Sequence, residues 1–138
     1  FMPFILFLIA GAMAFATGTS WGSFGILLPI AIPIAMSTDV TFMAAIIAAV
    51  LGGAVLGDHS SPVSDTTVLS ATGARSTLHA HFISQLPYAA ISGLIAALAY
   101  LVYGITHQLF LGYIVIVVLL VLFTKFWKPL FLNKKKKN

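Results

Sequence analysis

The chain has no cysteine, only three acidic residues and, in 138 residues, only 7% charged side chains of either sign. Without cysteine there is neither a disulfide nor a thiolate metal site, and the compartment is left open. With so little charge, no soluble domain of this size could cover the apolar remainder, 60% of the residues at a mean hydropathy of +1.08, so the chain is a membrane protein. A charged leader region and a small-residue cleavage site are also lacking. Phe1 already lies in an apolar run, so the opening is expected to be neither a natural start nor a signal peptide. The net charge of +4 comes mostly from Lys125, Lys128 and Lys134 to Lys137, gathered at one end. That end reads as a cytoplasmic anchor rather than a nucleic-acid patch.

What polar character there is concentrates in Gly57-Asp58-His59-Ser60-Ser61-Pro62-Val63-Ser64-Asp65-Thr66-Thr67, directly after eighteen mostly apolar residues. A carboxylate inside a membrane is costly and is read as functional by default. Pro62 has no backbone donor, and its ring clashes with the carbonyl of Asp58, so a helix entering at Val40 is expected to open here. Irregular backbone at membrane depth is tolerated only inside protein or along a wet cavity, which makes this segment the floor of a site.

Residues 2 to 36 are apolar except for Thr17 to Gly25 in the middle. As one helix they would measure roughly 52 Å, far beyond a hydrocarbon core of about 30 Å. Arms of twelve to sixteen residues are in turn short for spanning. The economical expectation is a re-entrant hairpin over 1–36 with its polar tip near the midplane; two tilted spanning helices are the alternative. Ser37-Thr38-Asp39 is an N-cap cluster for a helix from Val40, with Asp39 the cap rather than an ion ligand. The interrupted helix covers 40–74, rich in small residues that permit close approach, with its second half running from Thr66 to Gly73. Spanning helices are expected over 76–104 and 108–127, ending in an interfacial belt at Trp127 and Lys128. These make a single membrane domain over 1–127 and a basic cytoplasmic tail over 128–138. With the lysines inside, both ends of the hairpin and Val40 lie outside, and Arg75 lies inside. The two polar interruptions then reach the same depth.

A dehydrated sodium ion needs several oxygens, and a site that also handles protons needs a carboxylate that either cation can neutralise. The break offers Asp58 and Asp65, the hydroxyls of Ser60, Ser61, Ser64, Thr66 and Thr67, and freed carbonyls. The tip adds Thr17, Thr19, Ser20 and Ser23, with Gly18, Gly22 and Gly25 letting backbone oxygens approach. Burial and mutual repulsion disfavour a doubly ionised pair, so protons and sodium compete for one place. Asp65 reads as an ion ligand or as the cap of the second half-helix, and Asp58 as a ligand or a structural acceptor. His59 is either a proton relay or is bonded to backbone. His79 and His81, two apart on a helix, point away from each other and cannot grip one metal together. Trp21 either closes the site or packs, and Gln85 either bonds the hairpin or lines the cavity; the tyrosines are packing or belt residues. A serine hydrolase is disfavoured because adjacent residues rarely bring base and nucleophile into register and no nucleophile elbow is present.

The strings Gly18 to Ala31 and Gly57 to Thr67, with Leu69-Ser70, Thr72-Gly73-Ala74, His79, His81 and Gln85 to Ala89, resemble the C-terminal part of NhaC-type sodium/proton antiporters. The resemblance covers nearly everything from Thr17 to Ala89. Ser60 stands where cysteine is common, and Val63 where isoleucine is. The resemblance implies an all-α polytopic membrane protein with a re-entrant hairpin and a broken transmembrane helix, half of an inverted-repeat transporter. It implies exchange of sodium for protons without a cofactor; sodium and proton are cargo. The expected sodium set is Asp58, Asp65, Ser61, Ser64, Thr66, Thr67, Thr19, Ser20 and Gly18, with Asp65, Asp58 and His59 coupling protons. Expected partners are the lipid bilayer and the N-terminal repeat, with a homodimer left open and nucleic acid excluded. A bacterial inner membrane is the implied location. A sodium- or proton-coupled carrier of lactate, malate or amino acids is the alternative within the family, and a structural membrane subunit is a more remote one.

Overall fold

The computed structural model describes the backbone of residues 1–134 and the side chains of residues 1–125. Among the described residues six α-helices follow one another: α1 (Met2–Thr17), α2 (Ser20–Thr38), α3 (Met43–Ser60), α4 (Asp65–Gly73), α5 (Leu78–Thr106) and α6 (Leu109–Lys134). A 3-10 turn, Val40–Phe42, leads into α3. No strand occurs among the described residues. This is an all-α polytopic membrane protein, in which α2, the stretch Val40–Ser60 and α5 are each long and apolar enough to cross a bilayer.

α1 and α2 form a helical hairpin. The bend is Gly18, whose φ of 70° lies in the left-handed region that glycine adopts without penalty, followed by the extended residue Thr19. The start of α1 (Phe1, Met2, Pro3) and the end of α2 (Ala35, Thr38) line one small cavity, so both arms return to the same end of the molecule. The non-helical tip is far shorter than the stretch Thr17 to Gly25 suggests. Thr19 caps α2 by accepting from the Gly22 N–H at 3.4 Å, and Ser20, Trp21, Gly22 and Ser23 already belong to its first turns. The second arm is therefore 19 residues long, above the twelve to sixteen expected.

α3 lies against α1 and runs parallel to it. A Cβ at Gly53 would overlap the Phe7 carbonyl, and one at Gly57 would overlap the Gly11 carbonyl and come within 2.8 Å of the Phe15 nitrogen. The two backbones thus touch, which only small residues allow. The core among α1, α2 and α3 is built from Ala10, Ala14, Leu27, Ala31, Ala35, Ile46, Val50 and Ala54. Large apolar side chains such as Ile5, Ile26, Ile30, Leu94 and Phe110 face outward, a pattern suited to a lipid or protein surround rather than to water.

α5 runs antiparallel to α3. Its upper half is tied by Gly93 against Leu56, by Tyr100 against Phe7 (ring centroids 5.2 Å apart) and by Tyr103 and His107 against Phe42 (5.7 and 4.6 Å). Thr77 caps α5 by accepting from the Ala80 N–H at 3.2 Å. α6 folds back along α5, Gly112 facing Ala99 and Tyr103. It continues to Lys134, past the boundary expected at 127. The expected belt at Trp127 and Lys128 lies outside the described side chains, and residues 135–138 lie outside the described residues.

Candidate ion-binding site

The helix that starts at Met43 ends at Ser60 for a local reason. Pro62 cannot donate to the Asp58 carbonyl, and it forces Ser61 before it into an extended conformation (φ −79°, ψ 135°). The Asp58 carbonyl accepts from the Ser61 N–H instead, at 3.0 Å. α4 then begins at Asp65, with Ser64 as its cap. The carbonyl-rich end of one helix therefore meets the N–H-rich end of the next across Ser61 to Ser64, an arrangement suited to holding a small ion and its counter-charge.

Asp58 sits in the last turn of α3 and is 4% exposed. Its carboxylate accepts from the Ser64 hydroxyl at 2.5 Å. The Ser64 oxygen lies 2.7 Å from the Thr66 hydroxyl and accepts from the Thr66 N–H at 3.2 Å. Ser64 has one proton to give, and while it goes to Asp58 the Thr66 hydroxyl donates to Ser64. The three oxygens form a line running from half-buried Thr66 to the buried carboxylate. Ser61 is fully buried, its hydroxyl accepting from the Val63 N–H at 3.3 Å. Thr67 is buried too, and among the described residues its hydroxyl oxygen has no hydrogen-bonding partner. Nearly all buried polar atoms are paired, so this orphan in the first turn of α4 marks a place where a ligand would complete the set.

The hairpin bend reaches this break. A Cβ at Gly18 would lie 3.0 Å from the Val63 carbonyl carbon, carbonyl oxygen and side chain, so glycine is required here by space as well as by φ. The two polar interruptions are in direct contact. The tip's hydroxyls turn inward on their own helix: Thr19 accepts from the Gly22 N–H, Ser23 donates to the Thr19 carbonyl at 3.0 Å, and Thr17 donates to the Met13 carbonyl at 2.8 Å. Ser20 is buried beside them. Among the described residues, no hydrogen bond joins the tip's hydroxyls to the break.

Other expected members stand apart. Asp65 is exposed, and Ser64 rather than Asp65 is the cap of α4. Asp65 holds the first helical position, where its charge suits the helix dipole. The two carboxylates thus occupy different environments instead of sharing one dry site. His59 is exposed, its Nδ1 3.0 Å from the Val55 carbonyl, which is the backbone-bonded alternative. Trp21 is 81% exposed and meets Phe24 edge-on at 5.8 Å. His79 is exposed and His81 half-buried. No group of three His, Cys, Asp or Glu gathers among the described residues. Asp39 caps the 3-10 turn at the opposite end of α3, accepting from the Thr41 N–H at 2.9 Å and hydroxyl at 2.7 Å. These bonds, with His107 nearby, hold its carboxyl below the usual carboxylate range.

Among the described residues, Gln85 makes no hydrogen bond to the hairpin. Its amide Nε2 donates to the His59 carbonyl at 2.8 Å, across 26 residues of sequence. A lone amide in an apolar helix was the available signal; its partner was not, because the orphan carbonyl exists only once α3 has broken.

A family model described as the Na+/H+ antiporter family matches residues 1–105. Among curated proteins, an uncharacterized protein of Haemophilus influenzae is 49% identical over 113 residues, covering 82% of this chain and 22% of the relative. A second H. influenzae protein, named an uncharacterized Na(+)/H(+) antiporter, is 39% identical over 104 residues, 75% of this chain and 22% of its own. The malate-2H(+)/Na(+)-lactate antiporter of Bacillus subtilis is 33% identical over 102 residues, 72% of this chain and 21% of its own. The chain spans about a fifth of the length of the curated relatives it matches. No solved structure matches it.

Proposed function

The chain belongs to the Na+/H+ antiporter family, and from that premise we propose that it carries the cation site of an NhaC-type secondary transporter exchanging sodium ions for protons. The observation behind this reading is the buried Asp58 carboxylate at a helix break that the hairpin bend touches. Sodium is bound by the Asp58 carboxylate with the Ser61, Ser64 and Thr67 hydroxyls and backbone oxygens of the break and of Gly18 and Thr19. A proton neutralises the same carboxylate when sodium leaves, so neither state leaves a buried charge uncompensated. Protons reach it along the hydroxyl line: Asp58 takes the Ser64 proton, Ser64 takes that of Thr66, and Thr66 is replenished from the exposed side where Asp65 and His59 lie.

In this reading α1 and α2 are a re-entrant hairpin, the chain is the second of two inverted repeats, and the lysine-rich end is cytoplasmic in a bacterial inner membrane. Membership of the family supports a transporter rather than an enzyme. A second reading, coupling to an organic acid, is favoured by the likeness to the B. subtilis malate/lactate protein. The test is sodium-dependent collapse of an imposed pH gradient in vesicles holding the polypeptide as the cell makes it, with and without malate and lactate. Collapse by sodium alone supports sodium/proton exchange, and collapse only with an organic acid present supports the second reading. No response to either overturns both.

A further inference from the structure

We propose that Gln85 is a positioning residue for the cation site, holding the broken end of α3 from α5 so that Asp58 keeps its place. The inference rests on the site reading above and adds a residue outside the expected oxygen set. His59 follows Asp58 directly. In an unbroken helix its carbonyl would accept from the Val63 N–H, but that N–H is turned to the Ser61 hydroxyl. Gln85 supplies the missing donor at 2.8 Å. A neutral amide suits the place: it reaches across the gap between helices, it can donate only through its nitrogen, and it brings no charge to an apolar level.

The location on α5 gives this bond mechanical meaning. Above it, Gly93 lies so close to Leu56 that a Cβ there would stand 2.6 Å from the leucine methyl, fixing the upper half of α5 against α3. Below Gly93, the side chains of Ile83, Ser84, Leu86 and Pro87 are exposed. Pro87 removes the hydrogen bond to the Ile83 carbonyl and lets α5 bend at this level. Gln85 is therefore on the half of α5 that can tilt, and a tilt there pulls on the carbonyl next to the carboxylate.

The test uses the full polypeptide in its membrane, with accessible native cysteines removed and Ser60→Cys as reporter; Ser60 is half-buried at the end of α3, and this chain has no cysteine of its own. Gln85→Leu is expected to raise the maleimide labelling rate of the reporter about two- to tenfold, the range set by one lost hydrogen bond. Gln85→Glu is expected to label like Gln85→Leu when the carboxyl is ionised and like the parent when it is protonated, since only the protonated acid donates. Both effects are read on one folded protein, so poor insertion of the leucine variant does not obscure them. In transport, the half-saturating sodium concentration rises in Gln85→Leu while turnover is kept. Labelling unchanged in Gln85→Leu and independent of pH in Gln85→Glu would overturn the proposal. Labelling that shifts as expected while sodium neither protects the reporter nor moves protons leaves the positioning role standing and removes the sodium reading.

Discussion

Ser64→Ala is the most informative change at the break because one hydroxyl serves three bonds. It donates to Asp58 at 2.5 Å, accepts from the Thr66 hydroxyl at 2.7 Å and caps α4 through the Thr66 N–H at 3.2 Å. A hydrogen bond to a charged group contributes about 1.5–3 kcal/mol, and loss of a serine cap costs about 1 kcal/mol more. The carboxylate is 4% exposed, so solvent has little access with which to replace the donor. The Asp58 carboxylate that this hydroxyl holds in place is the charge proposed to bind sodium, and a loss of 1.5–3 kcal/mol weakens that binding by roughly 10- to 150-fold. The assay is sodium-dependent proton movement in vesicles, read as half-saturating sodium and maximal rate. Ser64→Thr keeps the hydroxyl and stays near the parent. Thr66→Val spares the Asp58–Ser64 bond but cuts the outer link of the hydroxyl line, so turnover falls while half-saturation hardly moves. If Ser64→Ala stays within twofold of the parent on both parameters while Asp58→Asn is inactive, Ser64 is no part of the site and the relay is wrong.

Thr67→Val removes a buried hydroxyl that has no partner among the described residues and whose burial costs the folded state about 1–3 kcal/mol. The sodium-free protein should melt higher and gain less from added sodium; a lower melting point without sodium would contradict the assignment. Gly57→Val forces α1 off α3 and should lower the melting midpoint by the equivalent of about 1–3 kcal/mol, whereas Gly25→Ala, whose Cβ meets nothing within 4 Å, should not. The Asp39 carboxyl titrates below its ordinary value, so its stabilisation is complete above the unfolded value and is lost as pH falls through the lower, folded one. Melting should owe nothing to Asp39 titration between pH 5 and 8 by this expectation, and Asp39→Asn should remove only the decline seen below about pH 4.

The break was legible because a proline after an acid has few physical outcomes: Pro62 ends α3 within a residue or two of where its missing N–H requires. The bend was legible as a polar island but not in extent. Threonine caps a helix as readily as it fills a loop, and with Thr19 as cap only Gly18 and Thr19 stay outside the helices. Division of the two carboxylates was not legible. Asp58 and Asp65 are seven residues apart in sequence, and which of them turns inward depends on how Ser61 to Ser64 fold around Pro62. On paper Asp65 was the candidate cap of the second half-helix. Ser64 takes the role because its oxygen also reaches Asp58, satisfying two groups at once.

The glycines of α1 and α3 offer no side-chain oxygen to an ion, yet they decide where the site forms. Phe7 meets Gly53, Gly11 meets Gly57, and Gly18 meets Val63. The same four-residue step on two parallel helices, Phe7 to Gly11 and Gly53 to Gly57, points the bend at the break, and backbone contact leaves no room for a different register. A slip of one turn would displace the bend by about 5.4 Å and separate Gly18 from Val63. Larger residues at 53 or 57 would hold the helices apart, and Gly18 would no longer lie against Val63. The small-residue stripe thus acts on the site through distance alone. Any movement that opens the cage must carry α1 and α3 together, with the bend, the break or α5 as the element that gives.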